Sequence, residues 1–219
     1  MRIIELFSGT QNMSKTFREN GHKTFTIDNN PDLNPDLCIN MLDFNIELLP
    51  KEFQKPDVIW ASPPCTTFSV ASLYRYWNNG KPSSYKTFIG MALIHKTIEI
   101  IKQLNPKYWF IENPRGMLRK QYFMDNLPRM TVTYCQYGAE YQKPTDIWNN
   151  TSWIPRKRCS AGDLCHESST RGSKNSGIQK LHGNRVRSEL PIDLCKEILK
   201  VCENKTNIKQ LTLRRLDDE

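Results

Sequence analysis

Each short apolar run in the first 150 residues stops on a residue that can do chemistry, and this placement constrains the chain more than any other feature. Residues 2–7 are apolar and stop at Ser8-Gly9-Thr10. Residues 23–28 alternate in polarity and close on Asp28. Residues 56–61 lead into Ser62-Pro63-Pro64-Cys65, and the aromatic run 107–112 ends at Glu112-Asn113-Pro114. A fifth strand is expected over 131–135. Between these lie helical signals at 14–20, ended by Gly21, and at 88–104. In the second, Met91, Ile94, Ile98 and Ile101 recur at helical spacing with Leu93, Ile100 and Leu104 beside them. Strands alternating with helices predict an α/β fold with a mostly parallel sheet covered on both faces. In such sheets ligands bind beyond the carboxyl ends of the strands, where these residues lie.

The texture changes after Trp148. Residues 151–187 are rich in Ser, Gly, Lys and Arg and lack periodicity. From Thr151 to Glu189, eight Lys and Arg oppose three Asp and Glu, so +5 of the net charge of +8 sits in that segment. This concentration points to a polyanionic partner. A last helix is expected over 191–203. The expected organisation is a core over 1–150, a small irregular basic insertion over 151–187, and a returning helix with a tail over 188–219. With 219 residues the chain is long enough for a core without disulfides. Its seven cysteines, an odd count, argue against a complete disulfide framework. No apolar run approaches a membrane span and no signal sequence is evident, so a cytoplasmic monomer is expected.

Three motifs carry the chemistry. Gly9 permits a tight turn and close backbone approach. Asp28, nineteen residues on, can accept hydrogen bonds from the ribose hydroxyls of a nucleoside cofactor. Pro63 and Pro64 stiffen the turn that presents Cys65, which faces the polar stretch Thr66-Thr67-Phe68-Ser69 rather than apolar neighbours. Glu112 closes an aromatic strand, where burial favours a protonated acid. The bland alternatives are an N-capped turn, a buried structural thiol and a capping carboxylate.

In this order the residues resemble the cytosine-5 DNA methyltransferase family, most closely its short, phage-type members. Phe7-Ser8-Gly9 is similar to the first cofactor motif and Asp28 to the ribose-binding acid. Asp43, in Met41-Leu42-Asp43-Phe44, is similar to the acid that faces adenine. Pro63-Pro64-Cys65 resembles the catalytic Pro-Cys motif, and Glu112-Asn113 the Glu-Asn motif, with Pro114 where Val is usual. Tyr137-Gly138 through Trp148 resembles the eighth motif, and Gly183-Asn184-Arg185-Val186 the tenth. The resemblance implies a Rossmann-like S-adenosylmethionine-dependent methyltransferase fold. It also implies cytosine-5 methylation of DNA, of the kind found in restriction-modification systems, with Cys65 as nucleophile and Glu112 as acid. The cofactor contacts it implies are Phe7, Ser8, Gly9, Thr10, Asp28, Asn29, Asp43, Pro63 and Asn184. Substrate contacts are expected at Ser69, Asn113, Arg115 and Gln142. Thr10-Gln11-Asn12 stands where a second Gly is usual. Gln142-Lys143-Pro144-Thr145-Asp146 stands where two arginines usually hold the base, so Lys143 or Arg115 is expected to substitute. RNA remains an alternative substrate, and a non-catalytic nucleic-acid-binding protein of the same fold an alternative function.

In the insertion, Arg156, Lys157 and Arg158, with the basic residues of 171–187, are expected phosphate contacts. Cys159-x5-Cys165-His166, with His182 or Cys135, has the ligand types of a tetrahedral zinc site. The spacing fits no standard finger, and the expectation is a metal-free polar loop. Cys38, Cys195 and Cys202 are read as core or incidental, and His22 and His95 are assigned no role.

Overall fold

Strand β1 (Arg2–Leu6) is almost wholly buried, and a segment that polar groups cannot easily enter must satisfy its backbone through neighbouring strands. It does so on both sides, pairing in parallel with β2 (Lys23–Asp28) and, across a crossover, with a central strand at Val58–Ala61. The computed structural model describes residues 1–160, 163–166 and 189–203. Helix α1 (Asn12–Glu19) connects β1 to β2. A two-residue strand β3 (Leu37–Cys38) extends the sheet beyond β2, and Val58–Ala61 is β4. A short helix α2 (Leu73–Tyr76) and a small hairpin, β5 (Trp77–Asn78) and β6 (Lys81–Pro82), then precede the long helix α3 (Tyr85–Leu104). Ser84 caps α3 by accepting from the Thr87 backbone N–H. Strands β7 (Tyr108–Pro114), β8 (Arg129–Thr133) and β9 (Pro144–Asn149) and helix α4 (Ile192–Glu203) complete the fold.

The sheet order is β3-β2-β1-β4-β7-β9-β8. Pairing is parallel from β3 through β7 and antiparallel on both sides of β9. The expected α/β class and mostly parallel sheet are therefore present. The expected strand over 131–135 starts and ends two residues earlier, because Tyr134–Tyr137 coils into a 3-10 turn. Strand β9 has no counterpart in the sequence reading. One apolar layer packs α3 against the sheet through Ile94, Ile98 and Ile101. The other gathers Met13 and Phe17 of α1 with Leu194 and Ile198 of α4. Cys195 and Cys202 lie in that second layer, whereas Cys38 is exposed. Among the described residues no helix is long and apolar enough to cross a membrane.

A carboxyl group is built into the core at β1. Glu5, 2% exposed on β1, accepts the Ser14 backbone N–H at 2.8 Å. Burial pushes its pKa up to about 7, against the opposing effect of the Ser14 hydrogen bonds. Between the ordinary carboxyl range and about 7 the folded chain therefore holds a proton that the unfolded chain has lost. Stability must fall as pH rises through that window. Glu5→Gln should remove this fall, for a relative gain on the order of 3 kcal/mol at pH 8 over pH 5. Urea unfolding of both proteins at the two pH values checks it; parallel pH profiles would exclude Glu5 as the cause.

Candidate active site

Parallel strands bring their carboxyl ends to one edge of a sheet, and here that edge collects the motifs. Beyond β1 the chain turns sharply, with positive φ at Phe7, Gly9 and Gln11. The Gly9 backbone N–H donates to Asp28 Oδ2 at 2.9 Å, and Asn30 N–H donates to Asp28 Oδ1 at 2.9 Å. Asp28 thus ties the β1 turn to the end of β2. A Cβ at Gly9 would meet nothing nearer than the Phe7 carbonyl at 3.9 Å, but its φ of +49° strains other residues. Ser8 is buried, and its hydroxyl has no hydrogen-bond partner among the described residues. Thr10 is half-buried and Asn29 exposed at the same edge. Asp43, itself exposed, ends the turn at Met41–Asp43 after β3, and Met41 in that turn is buried.

Strand β4 pairs with β7 up to Ala61 and Ile111, so the loops beyond both strands leave side by side. The Asn113 side-chain N–H donates to the carbonyl of buried Pro63 at 3.0 Å. Its own Oδ1 is buried with no partner among the described residues. The Cys65 loop closes as a tight turn, its carbonyl accepting from Phe68 and Ser69 N–H at 3.0 and 2.9 Å. Cys65 itself is partly exposed. Met117 N–H donates to the Phe68 carbonyl at 2.8 Å, and Ser69 bridges to Gly116. The Pro-Cys loop is therefore laced to the chain after Glu112 at three points.

Glu112 is 5% exposed. Tyr134, wholly buried, donates its hydroxyl to Glu112 Oε1 at 2.9 Å. Burial, reinforced by the Glu112 carboxyl, raises the Tyr134 pKa well above the ordinary phenol value, so the hydroxyl stays a donor. Lys143 is 7% exposed and sets its ammonium 4.5 Å from the centre of the Tyr134 ring. Because β9 runs antiparallel, its first residues lie at the same edge as the last residues of β7. That reversal carries Lys143 to the Glu112 site.

Residues 1–151 match the C-5 cytosine-specific DNA methylase family. The chain belongs to this family. It is 34% identical over 175 residues to a protein of Frog virus 3 (isolate Goorha) named a probable DNA (cytosine-5)-methyltransferase, covering 75% of this chain and 78% of that one. It is 28% identical to the type II methyltransferase M.FnuDI of Fusobacterium nucleatum, over 55% of this chain and 34% of that enzyme. Solved structures that resemble it include the S. pombe Dnmt2 methyltransferase, at 14% identity and a TM-score of 0.49, covering 68% of this chain and 50% of that one. They also include the Entamoeba histolytica methyltransferase EhMeth, at 14% identity and a TM-score of 0.48, covering 67% and 52%. The chain spans about half the length of these solved relatives.

The fold of this methylase redistributes several expected contacts. Arg115 is exposed, its backbone N–H held by the Pro144 carbonyl at 2.9 Å. Gln142 directs its side-chain N–H to Cys159 Sγ at 3.1 Å. Arg156 is also engaged within the chain: it donates to Glu197 Oε2 at 3.0 Å and the Gln136 carbonyl at 2.7 Å, and lies over the Tyr137 ring. Its guanidinium docks the chain on α4, where Asp193 Oδ2, at 3.5 Å, is a third acceptor. Lys157 and Arg158 remain exposed. Asn184, His182 and the basic residues of 171–187 lie outside the described residues.

Two important residues carried no local signal. Tyr134 falls in an ordinary apolar run. Arg119 pairs bidentately with Asp146, which is fully buried, and also reaches Thr131 at 3.0 Å. Asp146, inside the expected base-holding stretch, thereby locks β8 and β9 to the turn at Leu118–Lys120.

Gly116 supplies the tightest test of this scaffold. A Cβ there would sit 2.0 Å from the Phe68 carbonyl oxygen. Gly116→Ala should push the Cys65 loop from the β7 exit, destabilising the protein by about 1–3 kcal/mol and exposing the Cys65 thiol to alkylating reagents. Denaturant melts and iodoacetamide labelling read both effects. Unchanged values would show that the loops do not depend on this contact.

Proposed function

We propose that this chain transfers a methyl group from S-adenosylmethionine to C5 of a cytosine in DNA. The observation that carries the reading is the placement of the Cys65 loop against the end of β7, which carries Glu112, the two laced together through Asn113, Gly116 and Met117, in a chain of the cytosine-5 methylase family.

The residues present fit the donor. Beyond β1, where the strand order switches direction, a Gly turn, a buried Ser8 hydroxyl without a partner among the described residues and the Asp28 carboxylate lie together. Phe7, Gly9 and Asp28 would hold the nucleoside, with Asp43 at the flank. When bound, S-adenosylmethionine supplies an electrophilic methyl group on a sulfonium. The remaining work belongs to the chain. The Cys65 thiolate adds to C6 of the base, and Glu112 donates a proton to N3, so the ring becomes an enamine with a nucleophilic C5. After C5 is methylated, its proton leaves to solvent, the C6–S bond breaks, the thiolate returns and the N3 proton goes back to the Glu112 carboxylate. Tyr134 holds the Glu112 carboxyl in place through Oε1, leaving the other oxygen for the base. Lys143, close by, takes the place of the arginines that otherwise grip the base. The base reaches Cys65 by leaving the duplex stack, and the basic segment 151–187 holds the phosphates around it.

A covalent trap tests the chemistry. Fluorine at C5 does not leave as a proton does, so a 5-fluorocytosine duplex should stay attached to the protein on a denaturing gel. The band should require S-adenosylmethionine and vanish in Cys65→Ala. A band with fluorinated RNA alone would move the substrate to RNA. No band with either would leave a nucleic-acid-binding protein of the same fold.

Lys143→Ala tests the substitute for the arginines. It should lower turnover at least tenfold while S-adenosylmethionine affinity stays within twofold, read by radiolabelled methyl transfer and calorimetry. Unchanged turnover would remove Lys143 from the site.

A further inference from the structure

The fold brings together cysteines that the sequence reading left in a metal-free polar loop. Cys135 comes from the 3-10 turn after β8, whereas Cys159 and Cys165-His166 come from the chain beyond Trp153. Their ligand atoms all lie within 4.8 Å of one another. Cys135 Sγ is 3.2 Å from Cys159 Sγ and 3.7 Å from Cys165 Sγ, and Cys165 Sγ is 3.4 Å from His166 Nδ1. A tetrahedral zinc ion with bonds of about 2.3 Å to sulfur and about 2.0 Å to nitrogen holds its ligand atoms about 3.5–3.8 Å apart. Three thiols and one imidazole from two parts of the chain thus lie within about 1 Å of the separations of a Cys3His site.

We propose that Cys135, Cys159, Cys165 and His166 bind one structural zinc ion that fastens the start of the basic segment to the sheet edge beside the active site. The surroundings suit thiolate ligands. Gln142 donates a side-chain N–H to Cys159 Sγ at 3.1 Å, and Gln136 donates one to Cys165 Sγ at 3.2 Å. Such donors orient metal-bound thiolates and disperse their charge. Soft sulfur with one imidazole selects zinc over the harder divalent cations. Four protein ligands leave no open position, so this ion is structural and not catalytic.

Its position explains what it would do. Residues 153–156 are already docked: the Trp153 indole donates to Glu197 Oε1 at 2.9 Å, and Arg156 bridges Glu197 and the Gln136 carbonyl. The metal would extend this docking to residue 166. Cys135 also directly follows Tyr134, which holds Glu112. The ion therefore links the stem of the basic segment to the residue that positions the acid.

The test does not depend on methyl transfer. Tag-free protein purified without chelator should carry about one zinc per chain by elemental analysis and native mass spectrometry. Replacement by Co²⁺ should give the intense visible bands of a tetrahedral thiolate site. Cys159→Ser and Cys165→Ser should each cut zinc at least fivefold, while Cys38→Ser, at the far edge of the sheet, should keep it. Circular dichroism of the two variants checks that the sheet and helices still form. Zinc below one tenth of stoichiometry in wild-type protein, with all seven thiols titratable or with a Cys135–Cys159 disulfide, would overturn the proposal. So would zinc retained in both serine variants.

Discussion

Strand β1 is buried on both faces and paired on both sides, and the rest of the molecule depends on that confinement. A parallel strand so enclosed cannot slip by one residue without turning Ile4 and Leu6 out of one apolar layer and Ile3 out of the other. Its register with β2 and β4 therefore determines where Gly9, Asp28 and the Pro-Cys loop emerge. The same register passes through β4 to β7 and sets Glu112 beside that loop. The site is a consequence of sheet order before any side chain in it makes a bond.

Fine positioning then comes from polar groups placed where water is scarce. Asn113 joins the β7 exit to Pro63, a residue whose missing N–H leaves its loop with few bonds of its own. Tyr134 reaches Glu112 from the other side, and Lys143 lies over the Tyr134 ring. Each of these groups is buried, so each loses more by leaving its partner than an exposed pair would. Glu112 is consequently held in place, while Cys65 lies on a partly exposed loop.

The far edge of the sheet uses charge and sulfur where the centre uses apolar packing. Arg119 and Asp146 join β8, β9 and the turn at Leu118–Lys120. Arg156 and Glu197 dock the chain after β9 on α4. The Cys135, Cys159, Cys165 and His166 cluster continues that docking into the basic segment. A short segment with few apolar residues has little else with which to hold a fixed position.

What the sequence determined by itself was whatever depends on neighbours along the chain. Alternating strand and helix signals marked β1, β2, β4, α3, β7 and α4 to within a few residues, because periodicity and Gly or Pro stops are local. The residues at the strand ends, Gly9, Asp28, Cys65 and Glu112, were legible because parallel sheets send such ends to one side. The tertiary structure decided what depends on pairing across the fold. The direction of β9, and with it the arrival of Lys143, follows from its place between β7 and β8. Tyr134 became a partner of Glu112, Arg156 an internal clamp and Cys135 a fourth member of a cluster through contacts with residues nineteen to forty-one positions away. No local pattern encodes such contacts, since they are chosen by the packing of whole elements and not by the spacing of residues within one.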